Sequence, residues 1–124
     1  INTLLGRKCR FDLWENKDFH DKRMMSHENA KKTWAWNEMK RAGTYRALNR
    51  LIQGSAADQT KKAMVDLWNT YRVVPMIQIH DELNISIANE TQVTEIKEIM
   101  ESAVELHVPV KCEAKLGINW GEIK

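Results

Sequence analysis

The sequence predicts an α+β fold in which helices pack on a small antiparallel sheet, and three patterns carry that prediction. Residues 77 to 87 alternate apolar and polar side chains, whereas residues 45 to 71 and 91 to 107 repeat apolar side chains three or four apart. A length of 124 residues suits one domain with a modest core, and no repeat or low-complexity linker divides it.

Taken in order, the elements begin with an opening strand. Ser26 to about Gly43 reads as a weakly patterned helix; Trp34 and Trp36, two apart, cannot share a face, so one of them is expected to be exposed. Tyr45, Leu48, Leu51 and Ile52 make a stripe expected to be buried, with Arg46, Asn49, Arg50 and Gln53 opposite. Ser55 can cap a further helix to about Tyr71 that buries Ala56, Thr60, Ala63, Met64, Leu67 and Trp68. Asp58 would sit in its first turn, where the helix dipole favours a carboxylate. Val73 and Val74 lead through Pro75 into a hairpin. Asn89 or Thr91 then caps a helix to about His107 that buries Val93, Ile96, Met100, Ala103 and Leu106. Val108, Val110, Cys112, Ala114 and Leu116 alternate as a final strand ahead of Gly117. Met64, Met76 and Met100 are expected in the core.

The hairpin concentrates the chemistry. Ile77, Ile79, Leu83, Ile85 and Ile87 share one parity, and His80, Asp81 and Glu82 lie where the two strands meet. A three-residue connection from His80 to Glu82 would face Ile79 with Leu83 and Ile77 with Ile85, keeping the apolar side chains on one face. A two-residue loop would pair Ile79 with Glu82 and scramble that face. Three-residue hairpins favour Gly in the left-handed position and none is present, so strain is expected at this tip. Such a tip presents a carboxylate where a metal or a phosphate can reach it; a plain acidic turn at a sheet edge is the alternative.

The stripe of Arg46, Asn49, Arg50 and Gln53 contains donors and no acids. Guanidinium and amide groups donate to phosphates and to base edges. In the minor groove, acceptors occur in nearly equivalent places for every base pair, so such donors sense duplex geometry with little regard to sequence. Charge is also segregated. Residues 22 to 50 hold eight Lys or Arg against Glu28 and Glu38, whereas residues 81 to 105 hold seven acids against Lys97 alone. That polarity suits one face toward phosphates and another in solvent. A solvated charge face is the alternative for either run.

Four ordered segments carry a resemblance. Asn49-x-x-x-Gln53-Gly54-Ser55-Ala56-Ala57-Asp58, then Gln78-Ile79-His80-Asp81-Glu82-Leu83, then Gly117-Ile118-Asn119-Trp120 resemble the C-terminal palm region of family A DNA polymerases, the DNA polymerase I type. The opening Thr3-Leu4-Leu5-Gly6-Arg7-Lys8 is similar to the basic strand that follows the fingers in that family. Phage RNA polymerases, which share the palm, carry Ser after the His-Asp pair, where Glu82 stands here; the DNA enzyme is the better match.

The resemblance implies that residues 1 to 124 are the C-terminal palm part of a polymerase performing template-directed nucleotidyl transfer from dNTPs to a primer 3′ end. It implies Asp81 as a ligand of catalytic Mg²⁺, one of two ions in the complete enzyme, with Glu82 as a second catalytic carboxylate. It implies DNA contacts by Arg7, Arg46, Asn49, Gln53 and His80. The implied partners are primer-template DNA, dNTPs and the remainder of the polymerase, namely fingers, thumb and the missing palm strand, in the cytoplasm of a bacterial or phage-infected cell.

Departures are equally specific. The family often carries Arg four residues before Asn49, where Tyr45 stands here, and Phe11 to Gly43 matches no pattern of the family and looks more like a phage-type insertion. Neither an Asp-Tyr-Ser-type acidic strand nor a fingers helix is present. The chain alone is therefore expected to be inactive, as an excised piece or one half of a split polymerase. A nonenzymatic duplex-binding module and a small phosphohydrolase using His80, Asp81 and Glu82 are the other classes. Cys9 and Cys112 form no metal-spacing motif and are expected as free thiols. With no signal peptide or membrane span in view, the sequons at Asn84 and Asn89 read as chance.

Overall fold

In the computed structural model, which describes residues 1–123, strand β1 (Leu13–Asn16) lies between β2 (Met24–Ser26) and β3 (Met39–Arg41) in an antiparallel sheet of order β2-β1-β3. Trp14 stands opposite both Met25 and Arg41, so the three share a face, and the Arg41 guanidinium lies 5.1 Å from the Trp14 ring centre. Helix α1 (His27–Thr33) starts at Ser26, whose hydroxyl accepts the Asn29 N–H at 3.4 Å. Ala30, Trp34 and Met39 form a buried cluster with Trp14 and Met25 against it.

This sheet replaces much of the helix expected over Ser26 to Gly43. Trp34 turns extended at φ −128°, and a 3₁₀ turn at Trp36–Glu38 follows, with the Glu38 carboxylate accepting the Ala35 N–H at 3.1 Å. The reason is packing: Trp34 and Met39 reach one cluster only if the chain reverses between them. Trp34 is 8% exposed and Trp36 67%, so the two indoles do part company as their spacing requires. The Trp34 indole N–H donates to Asp21 at 3.0 Å, and Arg23 grips the same carboxylate at 2.8 and 2.7 Å. The Arg23 hydrogen bonds, chiefly, hold Asp21 well below the usual carboxylate range.

Two compact units divide the chain, Ile1–Ser55 and the residues from Ala56 onward. In the first, Thr3 to Lys8 forms a tight turn where a strand was expected, bridged between Asn2 and Lys8. Gly6 at φ 84° makes that reversal possible, and its N–H donates to the Thr3 carbonyl at 2.9 Å. Helix α2 (Ala47–Tyr71) is continuous through Gly54 and Ser55. Ser55 therefore caps nothing; its hydroxyl donates to the Leu51 carbonyl at 2.7 Å inside the helix. Asp58 consequently lies mid-helix and buried, away from any helix start. Tyr45, Leu48 and Ile52, expected to be buried, are 75%, 69% and 57% exposed. Leu48 and Ile52, four apart on α2, do share a side, whereas Tyr45 lies ahead of the helix in a 3₁₀ turn, Thr44–Arg46; periodicity says nothing of what covers that side.

From Ala56 onward, Thr60, Ala63 and Leu67 are buried and Met64 is half-buried, whereas Ala56 and Trp68 are exposed. The helix stops where expected. Arg72 takes left-handed φ of 58°, its N–H bonds the Trp68 carbonyl at 3.0 Å, and its guanidinium covers the Trp68 ring. Strands β4 (Ile77–Ile79) and β5 (Glu82–Asn84) form the second sheet. Helix α3 (Thr91–Ser102) is entered through the Asn89 side chain, which accepts from the Thr91 hydroxyl and the Gln92 N–H. It buries Ile96, half-buries Val93 and Met100, and ends before His107. Met76 is exposed, contrary to the core role expected. In the first unit α1 packs on the β2-β1-β3 sheet, and the α+β class holds with two sheets in place of one.

No strand forms over residues 108 to 116. Alternation alone cannot make one without a ladder partner, and Val108 and Leu116 stand 72% and 53% exposed. Glu101 anchors the segment instead, accepting the Cys112 N–H at 2.9 Å and Lys111 Nζ at 3.2 Å. The Cys112 amide, then the Lys111 ammonium, lowers the Glu101 pKa, while burial and the nearby carboxylate push the Cys112 thiol up.

Two outcomes follow. Trp34→Ala should destabilise the first unit by about 3–5 kcal/mol, and Trp36→Ala by about 1 kcal/mol or less, in urea unfolding followed by circular dichroism. Because the folded pKa of Glu101 is depressed, its anchor is fully made above the ordinary value of 4.5 and is lost as pH falls through the lower folded value. The Cys112 amide shift in NMR should titrate with Glu101 below 4.5, and Glu101→Gln should abolish that titration.

Candidate nucleic-acid and metal site

The hairpin adopts the two-residue connection. Ile77 pairs with Asn84, Gln78 with Leu83 and Ile79 with Glu82, leaving His80 and Asp81 as the turn. Ile77, Ile79, Glu82 and Asn84 therefore share a face, and Leu83 lies on the other with Gln78. This overturns the expected three-residue register, for two physical reasons. Ile77 and Ile79 remain 40% and 39% exposed, so burial exerts little force on the register. His80, meanwhile, accepts left-handed φ of 53°, which closes a two-residue turn without Gly. The expected strain is thus located on one residue.

Side chains brace this tip. Gln78 Nε2 donates to the His80 carbonyl at 3.0 Å, Asn84 Nδ2 to Glu82 Oε1 at 3.0 Å, and the Met76 N–H to the Asn84 carbonyl at 2.8 Å. Asp81 is exposed, and among the described residues its carboxylate has no hydrogen-bond or ion-pair partner. Asp81 and Glu82 offer hard oxygen donors of the kind Mg²⁺ takes, one or two carboxylates with water and phosphate completing the shell. Among the described residues no group of three or more His, Cys, Asp or Glu side chains comes together to hold a metal. Beyond the hairpin, Asn119 caps a 3₁₀ turn at Trp120–Glu122 by accepting the Gly121 N–H at 3.0 Å.

The donor stripe belongs to the first unit. Asn49 and Gln53 are exposed one helical turn apart on α2. Arg46 lies just before it in a 3₁₀ turn, Thr44–Arg46, with its guanidinium 5.0 Å from the Tyr45 ring centre. Arg50 leaves the stripe: it donates to the Arg10 carbonyl at 3.3 Å and lies over Phe11. Arg7 comes to the same helix from the opening turn, its Nη2 donating to the Gly54 carbonyl at 2.7 Å. The structure thus brings Arg7 to the helix that carries Asn49 and Gln53, and gathers His80, Asp81 and Glu82 at one tip.

Gly54 is what residue-type reasoning missed. A Cβ there would lie 2.7 Å from the Thr3 methyl and 3.4 Å from Arg7 Nη2. The signal was present, because Gly inside a helix costs about 1 kcal/mol and calls for a packing reason.

The family model of DNA polymerase family A matches residues 1–122. The chain belongs to DNA polymerase family A. It is 36% identical over 121 residues to a DNA-directed DNA polymerase of Pseudomonas phage M6, covering 98% of this chain and 15% of that protein. DNA polymerase I of Borreliella burgdorferi is 40% identical over 96 residues, covering 70% of this chain and 11% of the relative. That of Caldicellulosiruptor bescii is 44% identical over 86 residues, covering 63% and 10%. This family A chain therefore spans between a tenth and a seventh of the length of these relatives. No solved structure gives a significant match. Among the described residues, no helix is long and apolar enough to cross a membrane, and Cys9 and Cys112 are free thiols.

The turn itself is testable. His80→Gly should hold stability within about 1 kcal/mol of wild type, whereas His80→Val should cost about 1–2 kcal/mol more, because a branched Cβ resists left-handed φ. Urea unfolding of both variants reads the difference.

Proposed function

We propose that the chain is the C-terminal palm part of a DNA-directed DNA polymerase that extends a primer 3′ end from dNTPs by a two-metal mechanism, in DNA replication. The observation that carries this reading is the exposed Asp81 carboxylate, without a partner among the described residues, at a braced two-residue tip, in a chain matched to the family over residues 1–122.

Roles follow from chemistry. When bound, a pair of Mg²⁺ ions would neutralise charge developing on the attacking and leaving oxygens. Asp81 supplies a ligand carboxylate from a turn whose backbone is already set. Glu82, oriented by Asn84, adds negative charge beside it. His80 presents its imidazole at the same tip, toward the primer terminus. Asn49 and Gln53 donate to minor-groove acceptors, with Arg7 beside them and Arg46 at the helix entrance toward the phosphates. Primer-template DNA, dNTPs and the remaining polymerase, with its fingers, thumb and other palm strand, are the partners in this reading, and a bacterial or phage-infected cytoplasm is its setting.

In the complete polymerase, Asp81→Ala should lower single-turnover primer extension by roughly a thousandfold, equivalent to about 4 kcal/mol, while primer-template affinity changes little. The 124-residue chain alone should extend no primer. Steady Mg²⁺-dependent extension by it, abolished by Asp81→Ala, would overturn the part played by the missing partner carboxylate.

Asn49→Ala and Gln53→Ala should each weaken extension of matched and mismatched ends alike, by about 1–3 kcal/mol per lost contact. Wild-type rates in both variants would remove the minor-groove assignment.

A further inference from the structure

Arg7 is remote in sequence from Asn49 and Gln53, yet several contacts within the first unit tie it to their helix. The Leu4 N–H donates to Ser55 Oγ at 3.0 Å, while the same hydroxyl donates onward to the Leu51 carbonyl at 2.7 Å. The Thr3 side chain packs where a Gly54 side chain would be, and Thr3 itself is 5% exposed. Arg7 Nη2 closes onto the Gly54 carbonyl at 2.7 Å.

The turn that delivers Arg7 is internally stiff. Its Thr3 N–H donates to the Arg7 carbonyl at 2.9 Å, and the Arg7 N–H returns to Thr3 Oγ1 at 3.0 Å. Movement of Thr3 is therefore movement of Arg7. A side chain on Gly54 would meet a branched, buried Thr3 that has no flexible end to yield, and the turn would lift from the helix.

We propose that Gly54 and Ser55 are positioning residues, which clip the Thr3–Arg7 turn onto α2 and so set the Arg7 guanidinium in fixed register with Asn49 and Gln53 for a duplex minor groove. The proposal rests on the reading of those three donors as DNA contacts. It assigns to Gly54 and Ser55 no contact with DNA themselves. Three donors on one rigid body lose little freedom on binding, which is where the clip acts.

The test is a double-mutant cycle in the complete polymerase, reading the primer-template dissociation constant across salt concentrations, with the thermal midpoint as a control for folding. Arg7→Ala should weaken binding roughly tenfold and flatten its salt dependence. Gly54→Ala should approach the same loss, Ser55→Ala should lose roughly fivefold, and Ser55→Thr, which keeps the hydroxyl, should restore binding. On the Arg7→Ala background, Gly54→Ala and Ser55→Ala should add nothing.

Fully additive losses, or wild-type binding by both Gly54→Ala and Ser55→Ala while Arg7→Ala is impaired, would overturn the clip and leave the DNA reading intact. Wild-type binding and salt dependence in Arg7→Ala would instead overturn Arg7 as a DNA contact, and the clip's purpose with it. Should Gly54→Ala fail to fold, the Ser55→Ala and Ser55→Thr pair still decides.

Discussion

The placing of the opening turn and of Arg7 beside Asn49 and Gln53 depends on helix α2 running unbroken through Gly54 and Ser55, the two residues at which local propensity would stop it. Gly there sacrifices helical stability, and Ser competes for backbone hydrogen bonds. Ser55 resolves the competition by donating back to Leu51 and accepting from Leu4, so its hydroxyl serves both helix and turn. Gly54 returns its cost as space, since the opening turn lies closer to the helix axis than any side chain would permit. Continuity also keeps Asn49 and Gln53 at regular spacing on a rigid element, which fixes donors better than a loop can.

The same two residues mark the limit of what was legible in the chain. Ser after Gly ahead of an apolar stripe is a sound signature of a helix start, and here it is an interior pair, because the competing demand came from Thr3 and Leu4, some fifty residues away. The end of that helix at Tyr71, the entry into α3 at Thr91 past the Asn89 side chain and the parting of Trp34 from Trp36 depend on neighbours within a turn or two, and were readable. The strand expected at residues 108 to 116 and the burial expected for Tyr45, Leu48 and Ile52 depend on a partner surface, which no local pattern specifies.

The hairpin shows that limit within the candidate site. His80 and Asp81 were located correctly in the turn, because polarity in mid-alternation identifies one, whereas Glu82, expected in the connection, opens the second strand. The register was not legible, since parity predicts a face only where burial enforces it. With Ile77 and Ile79 well exposed, turn geometry and the bonds from Gln78 and Asn84 decide instead. The consequence is functional: a two-residue turn leaves Glu82 in a strand, ladder-paired with Ile79, and Asp81 alone of the two carboxylates in the turn.

That separation gives the two acids different freedom. Glu82 is held by its strand and by the Asn84 amide, whereas Asp81 hangs from the turn with no partner among the described residues. Adjacent carboxylates repel, but two unit charges 4 Å apart in water interact by only about 1 kcal/mol, so an exposed tip tolerates them without a counterion. In the proposed reading, a cation held there together with phosphate would displace that water and be attracted more strongly to both groups. The left-handed backbone at His80 is already present in the free chain. An acidic turn of this kind is inexpensive to keep in solvent and stiff enough to aim a carboxylate, the combination that a partial metal site completed by another segment requires.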